Sequence, residues 1–113
     1  MPHLHTASTG VVDRAFLELI AVGRWMGGRS LLPATSGNLS CRISETHIAI
    51  TASGGDKGAL SVDDLMVIAI VEPPPPGASA ETALHQQLYR QNATTGAVLH
   101  SHSLAATLVS LAH

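Results

Sequence analysis

The chain has 113 residues, a length that suits one compact domain better than two. Charged residues make up only 12% of it, the formal net charge is −2 and there is no basic run, which argues against a nucleic-acid partner. A single cysteine rules out an internal disulfide, and no apolar run is long enough to cross a bilayer. We therefore expect a cytoplasmic protein without a membrane partner, whose scarce charges indicate buried subunit surface or a truncated chain.

The first predicted element is an amphipathic helix over residues 11–26. Its apolar residues recur at three- and four-residue spacing, and Gly27-Gly28 would end it. Residues 1–10 are expected to form a flexible N-terminus, so the spaced histidines of His3-Leu4-His5 are given no role. One domain is predicted over residues 11–113.

Strands and a glycine-rich loop are predicted in the middle of the chain. Residues 38–43 alternate between apolar and polar side chains, as a half-buried strand does, and residues 47–51 form a second strand after a turn. Residues 53–58 contain three glycines and are predicted to be a loop. The nearly continuous apolar run at residues 65–71 is typical of a buried strand.

The last third of the chain predicts a helix, a strand and a second helix. Ser79 is expected to cap a helix that runs through Tyr89, and residues 97–100 are expected to form a short strand. A final helix is predicted from Leu104, and its apolar pattern is unterminated at His113. The pattern therefore indicates a longer polypeptide, or a naturally short protein that is part of an assembly.

The sharpest chemical feature is the run His100-Ser101-His102. In an extended segment, residues i and i+2 project to one side, so the two imidazoles could bind one metal ion, and imidazole suits zinc. Two ligands do not complete a catalytic zinc site, which normally has three from the protein. The alternative is a strand-end pair of histidines that hydrogen-bond to their surroundings.

Two loops of small residues and one carboxylate are further candidates. Thr35–Asn38 and Thr51–Gly54 each adjoin a predicted strand and could offer backbone N–H groups and hydroxyls to a phosphate, although ordinary turn chemistry also explains them. Glu81 lies in the first turn of a predicted helix. It could stabilise the helix dipole or act as an acid–base group.

These runs occur together in an order that resembles the class II aldolase and adducin family. The matching segments are Thr35–Ser40, Thr51–Gly54, Ser79–Glu81 and His100–His102, and the resemblance covers nearly the whole chain from Val11 onward. Within the family, residues 33–40, 55–58 and 79–82 are most similar to the methylthioribulose-1-phosphate dehydratases of methionine salvage.

The resemblance implies a three-layer α/β/α fold with a mostly antiparallel central sheet, incomplete in this chain, and assembly as a homotetramer. It implies a phosphate pocket and a zinc ion held by His100 and His102. Glu81 matches the acidic catalytic residue of the aldolases, whereas in the dehydratases that role falls on an acidic residue downstream of the two histidines. The residues implied to line the pocket for the sugar-phosphate substrate are Gly37, Asn38, Ser53, Gly54 and Ser79.

The chemistry implied is removal of water from a ketose 1-phosphate through a metal-stabilised enediolate. The same half-site would serve an aldolase or an epimerase, and a silent, adducin-like assembly module is the alternative from another class. In the family, the third zinc histidine lies well beyond His102, and this chain ends before it. His113 is a poor substitute, because the predicted last helix carries it away. The truncated chain is therefore expected to bind zinc weakly and to be inactive alone.

Three further residues have simpler interpretations. His85 is expected to pair with Glu81 on the helix surface, with catalysis as the weaker alternative. Cys41 is predicted to be a small core residue. Lys57 is expected either to meet the substrate or to be exposed to solvent.

Overall fold

The computed structural model describes residues 3–28, 37–100 and 107–110. For residues 3–9, 100 and 107–110 it describes the backbone alone. The elements within these ranges are α1 (His3–Gly28), β1 (Asn38–Arg42), β2 (His47–Thr51), β3 (Leu65–Ala69), α2 (Thr82–Gln91), β4 (Thr95–His100) and β5 (Thr107–Ser110). Two short 3-10 turns, Lys57–Ala59 and Val62–Asp64, lie between β2 and β3.

The first helix is longer than its amphipathic pattern predicts. The predicted segment, residues 11–26, is helical throughout, but α1 begins at His3 and ends at Gly28. Its buried face carries Ala15, Leu19 and Met26. That residues 1–10 are flexible stays a prediction, although the backbone of residues 3–10 is helical.

The strands form one sheet in the order β3-β2-β1-β4-β5, and every described pair is antiparallel. The predicted strand at residues 47–51 matches β2, whereas β1 and β3 end one and two residues earlier than predicted. β4 begins at Thr95, two residues before the predicted start.

The predicted last helix is wrong where the structure describes it. Thr107–Ser110 forms β5, which pairs antiparallel with β4. A short apolar run fits a helix or a buried strand equally well, and the β-branched residues Thr107 and Val109 favour the strand. The free edge of β4 decides the outcome, because it offers backbone groups that need partners. The predicted helix therefore no longer argues against His113 as a third zinc ligand. His113 itself lies outside the described residues.

The sheet separates two helices, which makes the three layers that the sequence predicts. Along β1, alternate residues point to opposite faces. Leu39 and Cys41 belong to a buried cluster against α1, and Asn38 and Ser40 face α2. The cluster on the α1 side contains Ala15, Leu19, Met26, Leu39, Cys41, Ala49, Leu60 and Leu65. The cluster on the α2 side contains Ile48, Ile50, Ile68, Ile70, Tyr89 and Val98.

Among the described residues, no helix has both the length and the hydropathy that a membrane span requires. Cys41, predicted to be a core residue, is 7% exposed, and its thiol lies 3.8 Å from the carbonyl oxygen of Ala15. Burial raises the pKa of this thiol to about 12, and the nearby Glu18 carboxylate adds to the increase. The core prediction for Cys41 is confirmed.

Candidate functional site

One end of the sheet collects the polar residues that the sequence singled out. β1 runs antiparallel to both β2 and β4, so the start of β1 lies beside the ends of its two neighbours. Asn38 is the first residue of β1, Thr51 the last of β2, and His100 the last of β4. Gly37 directly precedes Asn38 with a φ of 88°, a conformation that glycine adopts without strain.

Asn38 is the centre of this end of the sheet. It is 1% exposed, and its side-chain Nδ2 donates a 2.6 Å hydrogen bond to the Ser79 hydroxyl. Its Oδ1 accepts a 2.7 Å hydrogen bond from the hydroxyl of Thr51, which in turn accepts the backbone N–H of Leu39. The Asn38 amide is therefore held in one orientation. Thr51 received no separate role from the sequence, and its position at a strand end gave no hint of this contact.

The two small-residue segments after β2 and before α2 lie against each other. The backbone N–H of Ser53 donates to the carbonyl oxygen of Gly77 at 3.0 Å, and Ala52 pairs with Ala78 in an isolated antiparallel bridge. Gly54 follows with a φ of 76°. The structure thus brings the segment of Ser53 and Gly54 next to the segment that leads into Ser79.

Ser79 and Glu81 lead into α2. The helix begins at Thr82, later than the predicted cap at Ser79, and Glu81 occupies the N-cap position. The Ser79 hydroxyl accepts the backbone N–H of Glu81 at 3.1 Å, and the Ser79 carbonyl accepts that of Thr82 at 3.0 Å. Ser79 therefore organises the turn before the helix. The Ser79 hydroxyl joins this turn to Asn38, and half-buried Glu81 follows Ser79 by two residues.

His85 is buried, so the prediction that it lies on the helix surface is wrong, while its pairing with Glu81 stays a prediction. Its side chain is 0% exposed, and Nδ1 lies 2.7 Å from the hydroxyl oxygen of Ser40. The same hydroxyl is 2.8 Å from the Tyr89 hydroxyl. Burial raises the pKa of Tyr89, and its hydrogen bond to Ser40 acts in the opposite direction. Ser40 thus fastens α2 to β1 two residues along from Asn38.

Lys57 is buried within its glycine-rich loop and makes its hydrogen bonds there. It is 1% exposed, and its ammonium donates to the carbonyl oxygens of Gly54 at 2.6 Å and Gly55 at 3.2 Å. Burial lowers the pKa of this ammonium, while the carboxylates of Asp64 and Asp56 act in the opposite direction. The predicted exposure of Lys57 to solvent is therefore wrong, and its predicted contact with substrate stays a prediction.

The predicted zinc ligands are only partly described. The backbone of His100 pairs with Asn38 in the sheet, but the His100 side chain and the whole of His102 lie outside the described residues. Among the side chains that the structure does describe, no group of three His, Cys, Asp or Glu could hold a metal ion. The imidazoles of the two predicted ligands fit zinc, because imidazole is a common zinc ligand. His100 also ends a strand at the site.

Comparison with known proteins decides the family. Residues 17–113 match the model of the class II aldolase and adducin N-terminal domain. The chain belongs to the class II aldolase and adducin family. The predicted α/β/α fold agrees with this membership. The match to a solved structure, that of l-fuculose-1-phosphate aldolase from Thermus thermophilus, has a TM-score of 0.72 and 33% identity, and covers 80% of this chain and 45% of that one.

Curated relatives within the family are similar over most of the chain. The chain is 50% identical over 97 residues to a protein of Sorangium cellulosum named methylthioribulose-1-phosphate dehydratase. This match covers 82% of this chain and 46% of that protein. The protein of the same name from Gluconobacter oxydans is 47% identical, with 83% and 47% covered. The chain thus spans about half the length of these relatives.

The structure brings most of the predicted substrate-binding residues together, and their roles stay predictions. Gly37, Asn38 and Ser79 meet directly or are adjacent in sequence, and Ser53 and Gly54 join them through the pairing with residues 77 and 78. The predicted catalytic residue Glu81 follows Ser79 in the same turn.

Proposed function

We propose that the chain is the N-terminal portion of a zinc-dependent dehydratase that removes water from 5-methylthioribulose 1-phosphate, a step of methionine salvage. One observation carries the proposal. The hydrogen bond between Asn38 and Ser79, with His100 registered beside Asn38, joins three segments that are far apart in sequence at one end of the sheet. The names of the relatives from Sorangium cellulosum and Gluconobacter oxydans supply the reaction and the sugar phosphate.

In this proposal, the small residues bind the phosphate. Asn38 is turned by Thr51 and Ser79 so that its amide is fixed before a ligand arrives, which reduces the entropy lost on binding. Gly37 and Gly54 carry no side chain that would block an anion, and the Ser53 and Ser79 hydroxyls can donate to it. The phosphate would thereby hold the sugar in one position.

His100 and His102 would hold the zinc ion through their imidazoles. The chemistry that zinc supplies when bound is Lewis-acid polarisation of the substrate carbonyl, which acidifies the neighbouring C–H. Glu81 is the described carboxylate closest in sequence to Ser79, and we assign it the removal of that proton, with the acidic residue downstream of the two histidines as the alternative that the resemblance to the dehydratases implies. The electron pair then forms a carbon–carbon double bond as the β-hydroxyl leaves, and with a proton this hydroxyl becomes water.

Assembly and location complete the proposal. The exposed side chains of α1 include Leu17 at 64% and Trp25 at 53%, which favours subunit contacts over a solvent-facing helix. We propose a homotetramer in the cytoplasm. Sedimentation of the purified protein tests the assembly, and a monomer at micromolar concentration would contradict it.

The experiment that tests the function combines metal analysis with two substrates. In the full-length protein, of which we propose this chain is the N-terminal portion, we expect about one zinc per chain, in keeping with a mononuclear catalytic site. Zinc and the release of water from 5-methylthioribulose 1-phosphate should both be lost in His100→Ala and His102→Ala. His47→Ala is the matched control, because His47 begins β2 at the opposite end of the sheet. Its Nδ1 forms a 2.8 Å hydrogen bond with the Thr46 hydroxyl.

The outcomes separate the alternatives. Cleavage of l-fuculose 1-phosphate without dehydration would replace the dehydratase with an aldolase. A protein that binds no zinc and turns over neither sugar phosphate would be an assembly module. Equal zinc content in the wild type and in both site variants would show that His100 and His102 are not ligands.

A further inference from the structure

The glycine loop after β2 is built around a buried lysine. The ammonium of Lys57 reaches back to the carbonyl oxygens of Gly54 and Gly55, which lie three and two residues before it. A buried ammonium is costly unless its donors are satisfied. These two carbonyls meet that need, and the carboxylates of Asp56 and Asp64 add a favourable charge.

Both carbonyl contacts fix the direction of the neighbouring N–H groups. In a planar trans peptide, the C=O of one residue and the N–H of the next point in opposite directions. With the Gly54 and Gly55 carbonyls turned toward Lys57, the N–H groups of Gly55 and Asp56 point away from it. Among the backbone–backbone hydrogen bonds described for the loops of residues 37–100, neither of these two N–H groups is a donor.

The loop conformation requires its glycines. Gly54 and Gly55 both have a φ of 76°, in the left-handed region that other residues rarely adopt. Successive backbone N–H groups in such a turn form a concave site for anions. The N–H of Ser53 is not available to this site, because it donates to the Gly77 carbonyl.

Lys57 itself is held from two sides. The Asp56 carboxylate accepts the N–H of Gly58 at 2.9 Å, which caps the 3-10 turn that contains Lys57. On the other side α1 packs so closely that a Cβ added at Gly23 would lie 2.2 Å from the Lys57 carbonyl oxygen. A Cβ at Gly27 would lie 2.9 Å from the Cα of Gly58. The lysine backbone is therefore rigidly placed.

We propose that Lys57 is a positioning residue for the phosphate site. It does not touch the substrate but holds the Gly54 and Gly55 carbonyls away from it, so that the N–H groups of Gly55 and Asp56 face the phosphate. The inference rests on the proposed function and deepens it, because it names the donor atoms and the group that orients them. Without the ammonium, one or both peptides could turn and present a carbonyl oxygen to the anion.

Two substitutions at Lys57 test this role. Lys57→Met keeps the side-chain volume, removes the buried charge and donates no hydrogen bond, so the fold should survive. Lys57→Gln is also neutral, but its amide can still donate to the loop carbonyls. Arg14→Gln is the control for net charge, because it removes an exposed cation from α1. Inorganic phosphate is titrated into the full chain labelled with ¹⁵N, with the amide signals of Gly55 and Asp56 as the readout, and thermal unfolding is measured in parallel.

We expect Lys57→Met to weaken phosphate binding about tenfold, or about 1.4 kcal/mol, at a melting temperature within a few degrees of the wild type. Lys57→Gln should recover part of that loss, and Arg14→Gln should bind as the wild type does. The phosphate-induced shifts of Gly55 and Asp56 should be largest in the wild type and smallest in Lys57→Met.

Each other result overturns the role of Lys57. Wild-type phosphate affinity in both variants would show that the loop needs no lysine. Equal losses of affinity in Lys57→Met and Lys57→Gln would show that Lys57 acts through its charge alone. A loss that merely follows a large fall in melting temperature would make Lys57 a stability residue. If the wild type binds phosphate in none of these titrations, the phosphate site of the proposed function is wrong and the inference falls with it.

Discussion

The two faces of β1 are built from opposite kinds of residue. Toward α1, Leu39 and Cys41 enter a cluster of apolar side chains. Toward α2, Asn38 and Ser40 are equally buried, at 1% exposed each, yet every hydrogen bond described for their side chains is to another side chain: Thr51, Ser79, His85 and Tyr89. One strand thus contributes packing on one side and fixed hydrogen bonds on the other.

The difference teaches what each face can do. Apolar packing is non-directional and stabilises in proportion to the area removed from water. Buried hydrogen bonds add less net stability but specify one geometry, because an unsatisfied partner is costly. Apolar clusters on both sides of the sheet therefore stabilise the domain, and the buried hydrogen bonds on the α2 side of β1 also set where the groups of the candidate site lie.

The largest expected effect breaks the α1 face. Gly23→Ala places a Cβ 2.2 Å from a backbone oxygen of Lys57, which cannot move without displacing the glycine loop. We expect the free energy of unfolding to fall by about 3 kcal/mol. Gly10→Ala is the matched control, since nothing lies within 4 Å of its added Cβ, and it should gain about 1 kcal/mol from helix propensity. Urea denaturation measures both, and similar values for the two variants would contradict the close approach.

A smaller effect is expected on the α2 face. Ser40→Ala removes the hydroxyl that joins His85 and Tyr89 and leaves buried polar atoms behind, so we expect a loss of about 2 kcal/mol. Tyr89→Phe should cost about 1 kcal/mol for the loss of one hydrogen bond. In a double-mutant cycle, the combined variant should lose less than the sum of the two. Additive losses would show that the two hydroxyls act independently.

The contrast between the faces also explains what the sequence could predict. The alternation of residues 38–43 and the period of residues 11–26 predict β1 and most of α1, because an apolar face must be buried at a fixed repeat. The family resemblance that the small-residue motifs carry likewise implies which segments form one pocket. A run such as residues 107–110 could not be assigned, because the edge of β4 and not its own pattern makes it a strand.

The environments of single polar residues were beyond the sequence for a related reason. His85 was predicted on the helix surface, and Lys57 was predicted either to meet the substrate or to be exposed to solvent, since histidine and lysine are rarely fully buried. His85 can be buried because it hydrogen-bonds to Ser40, which is distant in sequence. Lys57 can be buried because a tight loop turns the Gly54 and Gly55 carbonyls toward its ammonium. A sequence pattern records spacing along the chain, whereas these contacts depend on which loop returns to which strand.

An effect smaller than that of Ser40→Ala appears only at high pH and sharpens the description of the α1 face. The pKa of Cys41 is raised to about 12 by burial and then by Glu18, so the folded chain keeps its thiol proton above the pH at which the unfolded chain loses it. The stability from this proton is complete below the unfolded pKa near 9.0 and is lost as pH rises toward 12. At pH 10 the loss relative to pH 7 should be about 1.4 kcal/mol. Because Tyr89 also titrates there, the measured quantity is the difference between the wild type and Cys41→Ala in how unfolding free energy falls from pH 8 to pH 10. Parallel curves would mean that the thiol reaches solvent, and the α1 face would then be less tightly packed than its apolar cluster implies.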